Sequence, residues 1–300
     1  MKIVVFGGAG LLGSAITRAL RSGGHQVETA GRGGCDITVD FSSAKAPEAF
    51  ASAVNGADII VNAVGILTEH AGNTFDAVHV KAASALFATC AKARVARIVH
   101  ISGLGVGTGI KGGYMASKLA AEQALQANAV DFAIVRPALL VDENCPSTHL
   151  FKWLAKMPVI SLPGLLRPGA SLVSPVQVQD VAQAVARICD HPKALRRVIE
   201  LAGPEAMSYR AMLQAYRRAA GKGAALWLPM PWWVMKFTAF LAALLPQKVF
   251  SIDTVYMLQA GSVAKMNEAE RWLGRMPASI KTLAPAGDRN ALEADKAAYP

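Results

Sequence analysis

Three groups of residues in this chain have the types and spacing to do chemistry. The first is Gly7-Gly8-Ala9-Gly10-Leu11-Leu12-Gly13, a glycine-punctuated turn between an apolar run and a helical pattern. In such a turn Gly7 permits the bend, Gly10 lets a pyrophosphate approach the backbone, and Gly13 allows close helix–strand packing. The pyrophosphate then rests on the free N–H groups of the helix start, around Leu11 and Leu12. The second group is Tyr114 with Lys118, four apart and hence on one helix face. An ammonium beside a phenol lowers its pKa from about 10, so the pair can pass a proton to or from a carbonyl oxygen. The third is Arg32, ending Thr29-Ala30-Gly31-Arg32 with no carboxylate before Asp36. An acid there would bind a ribose 2′-hydroxyl, whereas a guanidinium accommodates a 2′-phosphate. The expectation is NADP(H) in preference to NAD(H), with a solvated surface arginine as the alternative.

These groups need a scaffold, and the hydrophobic pattern supplies one. Residues 2–6, 26–30, 37–41, 58–63, 96–102 and 131–136 read as strands, and 11–21, 43–55, 74–94 and 113–128 as helices. Ile59-Ile60-Val61 lacks polar alternation, as a parallel sheet covered on both faces requires. The repeated β-α-β order predicts an α/β fold, a Rossmann-type doubly wound parallel sheet with its ligand crevice at the carboxyl ends of the strands. Only residues 31–36 separate the second and third strands, too few for a crossover helix. Beyond Pro137 the rhythm changes, and prolines at 146, 158, 163, 168 and 175 cut the chain into short pieces. The expected division is a nucleotide-binding domain over 1–145, a smaller, partly interleaved substrate region over 146–285, and a loose tail over 286–300. Asp180 is placed to cap a helix over 181–189, and Ser208 one running through residue 220.

Composition excludes several classes. With 53% hydrophobic and 17% charged residues, the 300-residue chain is neither disordered nor a coiled coil. Its net charge of +10 favours acidic ligands, but no nucleic-acid-binding module accompanies it. Cys35, Cys90, Cys145 and Cys189 are too scattered for zinc or a disulfide framework and read as reduced thiols. Glycines interrupt the N-terminal apolar run, so no secretory leader is expected and the cytoplasm is the default. Residues 227–245 form a tryptophan-rich apolar stretch interrupted by Pro229, Pro231 and Lys236. Over 227–250 two readings stand: a core helix of the substrate layer, or a peripheral contact with a membrane, at the inner face, or with a partner protein. His149 reads as a helix-start histidine rather than a proton donor.

Taken in order, Gly7-x-x-Gly10-x-x-Gly13, Asn62-Ala63-Val64-Gly65, Tyr114-x-x-x-Lys118 and Arg136-Pro137 resemble the short-chain dehydrogenase/reductase superfamily, in its extended or atypical branches. The resemblance runs to about residue 213. Finer features, among them residues 61–67, Val99-His100-Ile101-Ser102 and Pro175-Val176-Gln177-Val178-Gln179-Asp180, are similar to the NADPH-binding accessory subunit of respiratory complex I and its bacterial relatives. The resemblance implies an oxidoreductase acting on a carbonyl/alcohol pair. Apolar residues around 150–166 add an apolar small-molecule substrate. It implies Asp40 near the adenine, Ala63, Val64 and Gly65 beside the adenosine ribose, and Lys118 on the nicotinamide ribose. Pro137, Ala138, Leu139 and Leu140 would hold the carboxamide. It also shows two departures. The substrate-polarising serine's usual position is Leu104, leaving Ser102 to serve only if the loop bends differently, and His79 replaces the usual helix asparagine. The alternative is therefore a catalytically weak NADP(H)-binding scaffold or redox-sensing subunit.

Overall fold

The computed structural model describes residues 1–43, 47–70, 72–165, 171–242 and 250–280. The expected tail over 286–300 lies outside them.

The chain begins with β1 (Lys2–Phe6), α1 (Leu11–Ser22), β2 (Gln26–Gly31) and β3 (Ile37–Thr38). Next come α2 (Ala51–Val54), β4 (Ile59–Asn62), α3 (Ala82–Lys92), β5 (Arg97–Ile101), α4 (Gly113–Gln126) and β6 (Asp131–Pro137). These strands, with β11 (Arg197–Leu201) added later in the chain, form a seven-stranded parallel sheet in the order β11-β6-β5-β4-β1-β2-β3. The order reverses between β1 and β4, where a doubly wound sheet opens its crevice. On β1 alternate side chains serve two cores. Ile3 and Val5 face α1 and α6 (Val178–Asp190); Val4 and Phe6 face α2, α3 and α4. All four are fully buried, which is why the strand carries no polar residue after Lys2.

Two elements differ from expectation. The third strand spans two residues rather than five, pairing Ala30 with Ile37 and Gly31 with Thr38. Because it meets only the top of β2, the chain never returns along the sheet, and a five-residue loop replaces the crossover helix. The helix expected over 43–55 is a 3₁₀ turn at Pro47–Phe50 followed by α2, with 44–46 outside the described residues. The helix expected over 74–94 starts as a π-helical segment at Asp76–Lys81 before becoming α3.

The remaining elements form a smaller layer over the sheet's carboxyl end. They are β7 (Leu140–Val141), α5 (Pro146–Lys156), β8 (Val159–Pro163), β9 (Leu172–Val173), β10 (Val176–Gln177), β12 (Met207–Ser208), α7 (Tyr209–Ala219), β13 (Leu226–Met230), α8 (Trp232–Ala242) and α9 (Ile252–Ala260), whereas α10 (Ala269–Leu273) returns to pack on α6 in the main core. Their own core gathers Val141, Ala155, Ile160, Met212, Leu213 and Tyr216. Ser208 caps α7 by accepting from the Ala211 N–H. Asp180 does not cap: α6 starts three residues earlier than expected. The Asp180 carboxylate instead binds Arg275 at 2.6 Å and the Ala278 N–H at 2.7 Å, tying the C-terminal segment to α6.

Candidate active site

Since every strand of the sheet is parallel, the segments leaving β1, β2, β4, β5 and β6 all emerge on one rim. They carry 7–13, Arg32, 63–65, Ser102 and 137–140. Gly7 has φ +80° and donates to Ala30 O at 2.8 Å; Gly10 donates to Gly7 O at 2.9 Å. A Cβ on Gly13 would lie 2.0 Å from Gly7 O, so only glycine lets α1 start this close to the turn. α1 has no side-chain cap and no acid in its first turn. Its leading amides at Leu11, Leu12 and Gly13 and its positive end are thus free for an anion, and Ala9 and Gly10 are exposed at the crest. A cavity of about 360 Å³ opens beside it, bounded by Gly10, Leu11, Ser14, Arg18, Asp142 and Gln179. These features fit a dinucleotide's diphosphate.

The loop after β2 runs past the turn, and a Cβ built on Gly34 would lie 4.0 Å from Ala9 Cβ. Arg32 is exposed and donates to Asn73 Oδ1 at 3.2 Å. Asp36 is turned away: its Oδ2 accepts from the N–H and the hydroxyl of Thr29, both at 2.8 Å, which holds its carboxyl below the usual range. Asp40 also has a structural use, accepting from Ser42 N through Oδ1 and from Ser43 through its carbonyl. The segment 137–140 is pinned on the rim by Leu104 N to Pro137 O, Ala138 N to Leu201 O and Val176 N to Leu139 O.

Tyr114 and Lys118 sit on the first turns of α4, whose N-terminus is Gly112. Lys118 is 4% exposed; its Nζ donates to Ile101 O at 3.2 Å and lies 3.2 Å from the place a Gly65 Cβ would occupy. The Tyr114 hydroxyl lies 3.9 Å from the corresponding place on Gly103. The two groups thus reach the ends of neighbouring strands β4 and β5. Burial pulls the Lys118 ammonium down to about 8, with Glu122 opposing, so it remains mostly charged at neutral pH. Burial also pushes the Tyr114 phenol up to about 12. This reverses the expectation that the ammonium would lower it: desolvation dominates, and the phenol holds its proton.

Ser102 points elsewhere. Its hydroxyl donates to Glu122 Oε1 at 2.5 Å, and Arg136 grips the same carboxylate through Nε at 2.9 Å and Nη2 at 2.5 Å. The hydroxyl is therefore committed below the rim rather than beside Tyr114, and Leu104 is a buried apolar residue. His79, in the π-helical segment, accepts from Ile66 N–H through Nε2 at 3.0 Å, so its proton is on Nδ1. Nδ1 donates to Ser117 Oγ at 2.9 Å, and that hydroxyl donates to Tyr114 O at 2.8 Å. Phe75 stacks on His79, and both rings meet Tyr114 edge-on. His79 thus locks the tyrosine's helix turn to the 65–66 loop. Asn62 Oδ1 accepts from Val64 N–H while its Nδ2 donates to His100 Nδ1, tying β4 to β5.

Two residues that sequence reasoning missed complete the surroundings. Glu122 carried a signal, an acid four residues after Lys118 on the same face. Asp253 carried none: it starts α9, 139 residues from its partner, and accepts from the Tyr114 N–H at 2.9 Å. A Cβ on Gly112 would lie 2.3 Å from Asp253 Oδ1, so the missing side chain keeps that approach open. His149, also expected at a helix start, binds the Glu143 carbonyl there.

Burial, then the Lys118 charge, lowers His79 to about 2 and His100 to about 3. Both are neutral in the fold, whereas the unfolded chain protonates them near pH 6.5. Between pH 6.5 and about 3 the unfolded state binds more protons. Stability therefore falls as pH falls, by about 1.4 kcal/mol per pH unit for each histidine. Denaturant melts from pH 7 to pH 5 should show this slope, halved in His79→Asn. A midpoint unchanged across that range would contradict it.

Comparison with known proteins agrees with this fold. Residues 7–192 match the model of an NAD(P)H-binding family. The chain is 26% identical over 219 residues to subunit 9 of the NADH dehydrogenase [ubiquinone] 1 alpha subcomplex of Rattus norvegicus, covering 67% of this chain and 56% of that one. It is 27% identical over 199 residues to ceramide reductase of Caulobacter vibrioides, covering 63% and 61%. The chain therefore spans little more than half the length of these relatives. Among solved structures, Citrobacter sp. triphenylmethane reductase complexed with NADP(H) superposes with a TM-score of 0.72 at 17% identity, over 94% of this chain and 98% of that one. A Staphylococcus aureus nucleoside-diphosphate-sugar epimerase does so at 0.76 and 17%, over 95% and 100%. With its glycine turn, parallel sheet and rim in place, the chain belongs to the NAD(P)H-binding family whose model its residues 7–192 match.

Proposed function

We propose that the protein is an NADP(H)-dependent reductase of a carbonyl group on an apolar substrate. The observation that carries this reading is the Tyr114 hydroxyl held at the rim beside Gly103 with the buried Lys118 ammonium one helical turn behind it. A phenol that keeps its proton at neutral pH is a donor, which suits reduction better than oxidation. The nicotinamide would supply the hydride. The free amides at 11–13 would hold the diphosphate, Lys118 the nicotinamide ribose and 137–140 the carboxamide. Tyr114 would donate to the substrate oxygen, and Lys118 would offset the charge left on the phenolate. The relation to ceramide reductase makes apolar ketones, including ceramide-type lipids, the first substrates to try.

The exposed Arg32 and the averted Asp36 support NADP(H) over NAD(H). NADPH should bind at least about tenfold more tightly than NADH in a fluorescence titration, a charge-assisted contact's worth. Arg32→Ala should largely remove that ratio; equal affinities in the unmodified protein would refute the preference.

The commitment of Ser102 to Glu122 favours a second reading, a scaffold that holds the nucleotide without turning it over, as does the relation to the complex I subunit. NADPH oxidation across an apolar ketone panel separates the two. Nucleotide released only on denaturation, with no turnover, assigns the scaffold.

A further inference from the structure

α8 reads Trp-Trp-Val-Met-Lys-Phe-Thr-Ala-Phe-Leu-Ala, apolar on nearly every side. A helix of that kind belongs in a core or a membrane environment. Yet only Ala239 is fully buried, while Trp233 is 71% and Phe240 67% exposed, with Phe237 and Leu241 also exposed. At about 100° per residue these four side chains share one stripe. The chain enters α8 through Pro231 directly from β13, and Gly164, just past the end of β8, packs by Trp232. On the β8–β13 ribbon, Val159 pairs with Leu226, and both are exposed along with Leu228. So ribbon and helix present apolar surface from one stretch of chain.

Charge is distributed as unevenly as hydrophobicity. Residues 144–179 and 206–252 contain nine lysines and arginines and no aspartate or glutamate. With the adjoining Asp142, Glu143, Glu205 and Asp253 counted, residues 140–175 and 203–262 hold nine basic against four acidic residues, about half of the net charge of +10. Lys156 and Lys222, both exposed, flank the start of the ribbon, and neither forms an ion pair among the described residues. Among the described residues no helix is long and apolar enough to cross a membrane. The eleven residues of α8 reach about 16 Å, half the thickness of a hydrocarbon core of about 30 Å.

We propose that α8 and the outward face of the β8–β13 ribbon form a docking face for an anionic lipid surface. The aromatic stripe lies at the headgroup boundary, and the exposed Lys156 and Lys222 at the start of the ribbon meet the lipid phosphates. A neutral protein partner would account for the stripe but not for the excess of basic over acidic residues in this layer. This inference is independent of the nucleotide chemistry.

The test is flotation of the full chain with vesicles of phosphatidylcholine, with and without phosphatidylglycerol, at low and high salt. Binding is expected to anionic vesicles at low salt, weakened at least about tenfold in pure phosphatidylcholine or high salt. The triple variant Trp233→Ser, Phe237→Ser, Phe240→Ser changes exposed residues, so its thermal midpoint and NADPH titration should stay put while flotation is lost. Lys156→Glu with Lys222→Glu should lose the preference for phosphatidylglycerol. The proposal is overturned if the full chain does not float with anionic vesicles, or if the triple variant floats equally well. It is also overturned if light scattering shows a dimer that the triple variant abolishes and no vesicle binding occurs, since the occupant is then a second copy.

Discussion

Tyr114→Phe should lower turnover by between about 100-fold and 10,000-fold while leaving NADPH affinity within about twofold, the usual span for losing a positioned proton donor. The asymmetry follows from where the hydroxyl sits. The ring remains packed against Phe75 and His79, so α4 keeps its place, and Lys118 still donates to Ile101 O. Only the proton near Gly103 disappears. Stopped-flow NADPH oxidation with an apolar ketone, beside a fluorescence titration, reads both quantities. A variant retaining most of its turnover would shift the donor role to another group, and the reductase reading of this rim would fail with it.

The second large effect is at the opposite end of the nucleotide site. Gly13→Val should cut NADPH affinity more than about 100-fold. The first Cβ atom alone would lie 2.0 Å from Gly7 O and 2.7 Å from Gly7 C, both backbone atoms that cannot rotate away. α1 must retreat, taking the amides of Leu11 and Leu12 with it. Two hydrogen bonds to a charged group, at about 1.5–3 kcal/mol each, account for that loss. The same collision should cost about 1–3 kcal/mol in stability, as overpacking does. Gly223→Ala is the control, since nothing lies within 4 Å of the new methyl and both melt and titration should be unchanged. If Gly13→Val bound NADPH normally, the diphosphate would not rest on this turn.

The parts of the site that were legible from sequence are those whose requirements are local. The glycine turn needs three glycines at fixed spacing, and the buried strands need apolar runs, so Ile59-Ile60-Val61 could hardly be anything else. Side-chain destinations were less legible. That Ser102 turns to Glu122 depends on Arg136 arriving on β6 to share the carboxylate, a three-body arrangement that no window of sequence displays. Asp180 looked like a cap because caps are local; its actual partners, Arg275 and Ala278, lie at the far end of the chain. The short β3 escaped because a two-residue pairing leaves too little pattern to separate it from a longer strand.

The edge strand β11 has a consequence for any attempt to cut the molecule down. The match to the NAD(P)H-binding family ends at residue 192, but β11 begins at Arg197 and pairs along the length of β6. Its own outer margin is then closed by Glu268 N bonding Glu200 O and by Asn267 bridging Ala202. A truncated chain stopping at 192 would leave the Ala133–Pro137 stretch of β6, almost wholly apolar, as an open ladder of unpaired amides and carbonyls. Such a margin recruits strands from other molecules. The excised piece should therefore be recovered as aggregate, even though it contains the glycine turn, the tyrosine and the lysine.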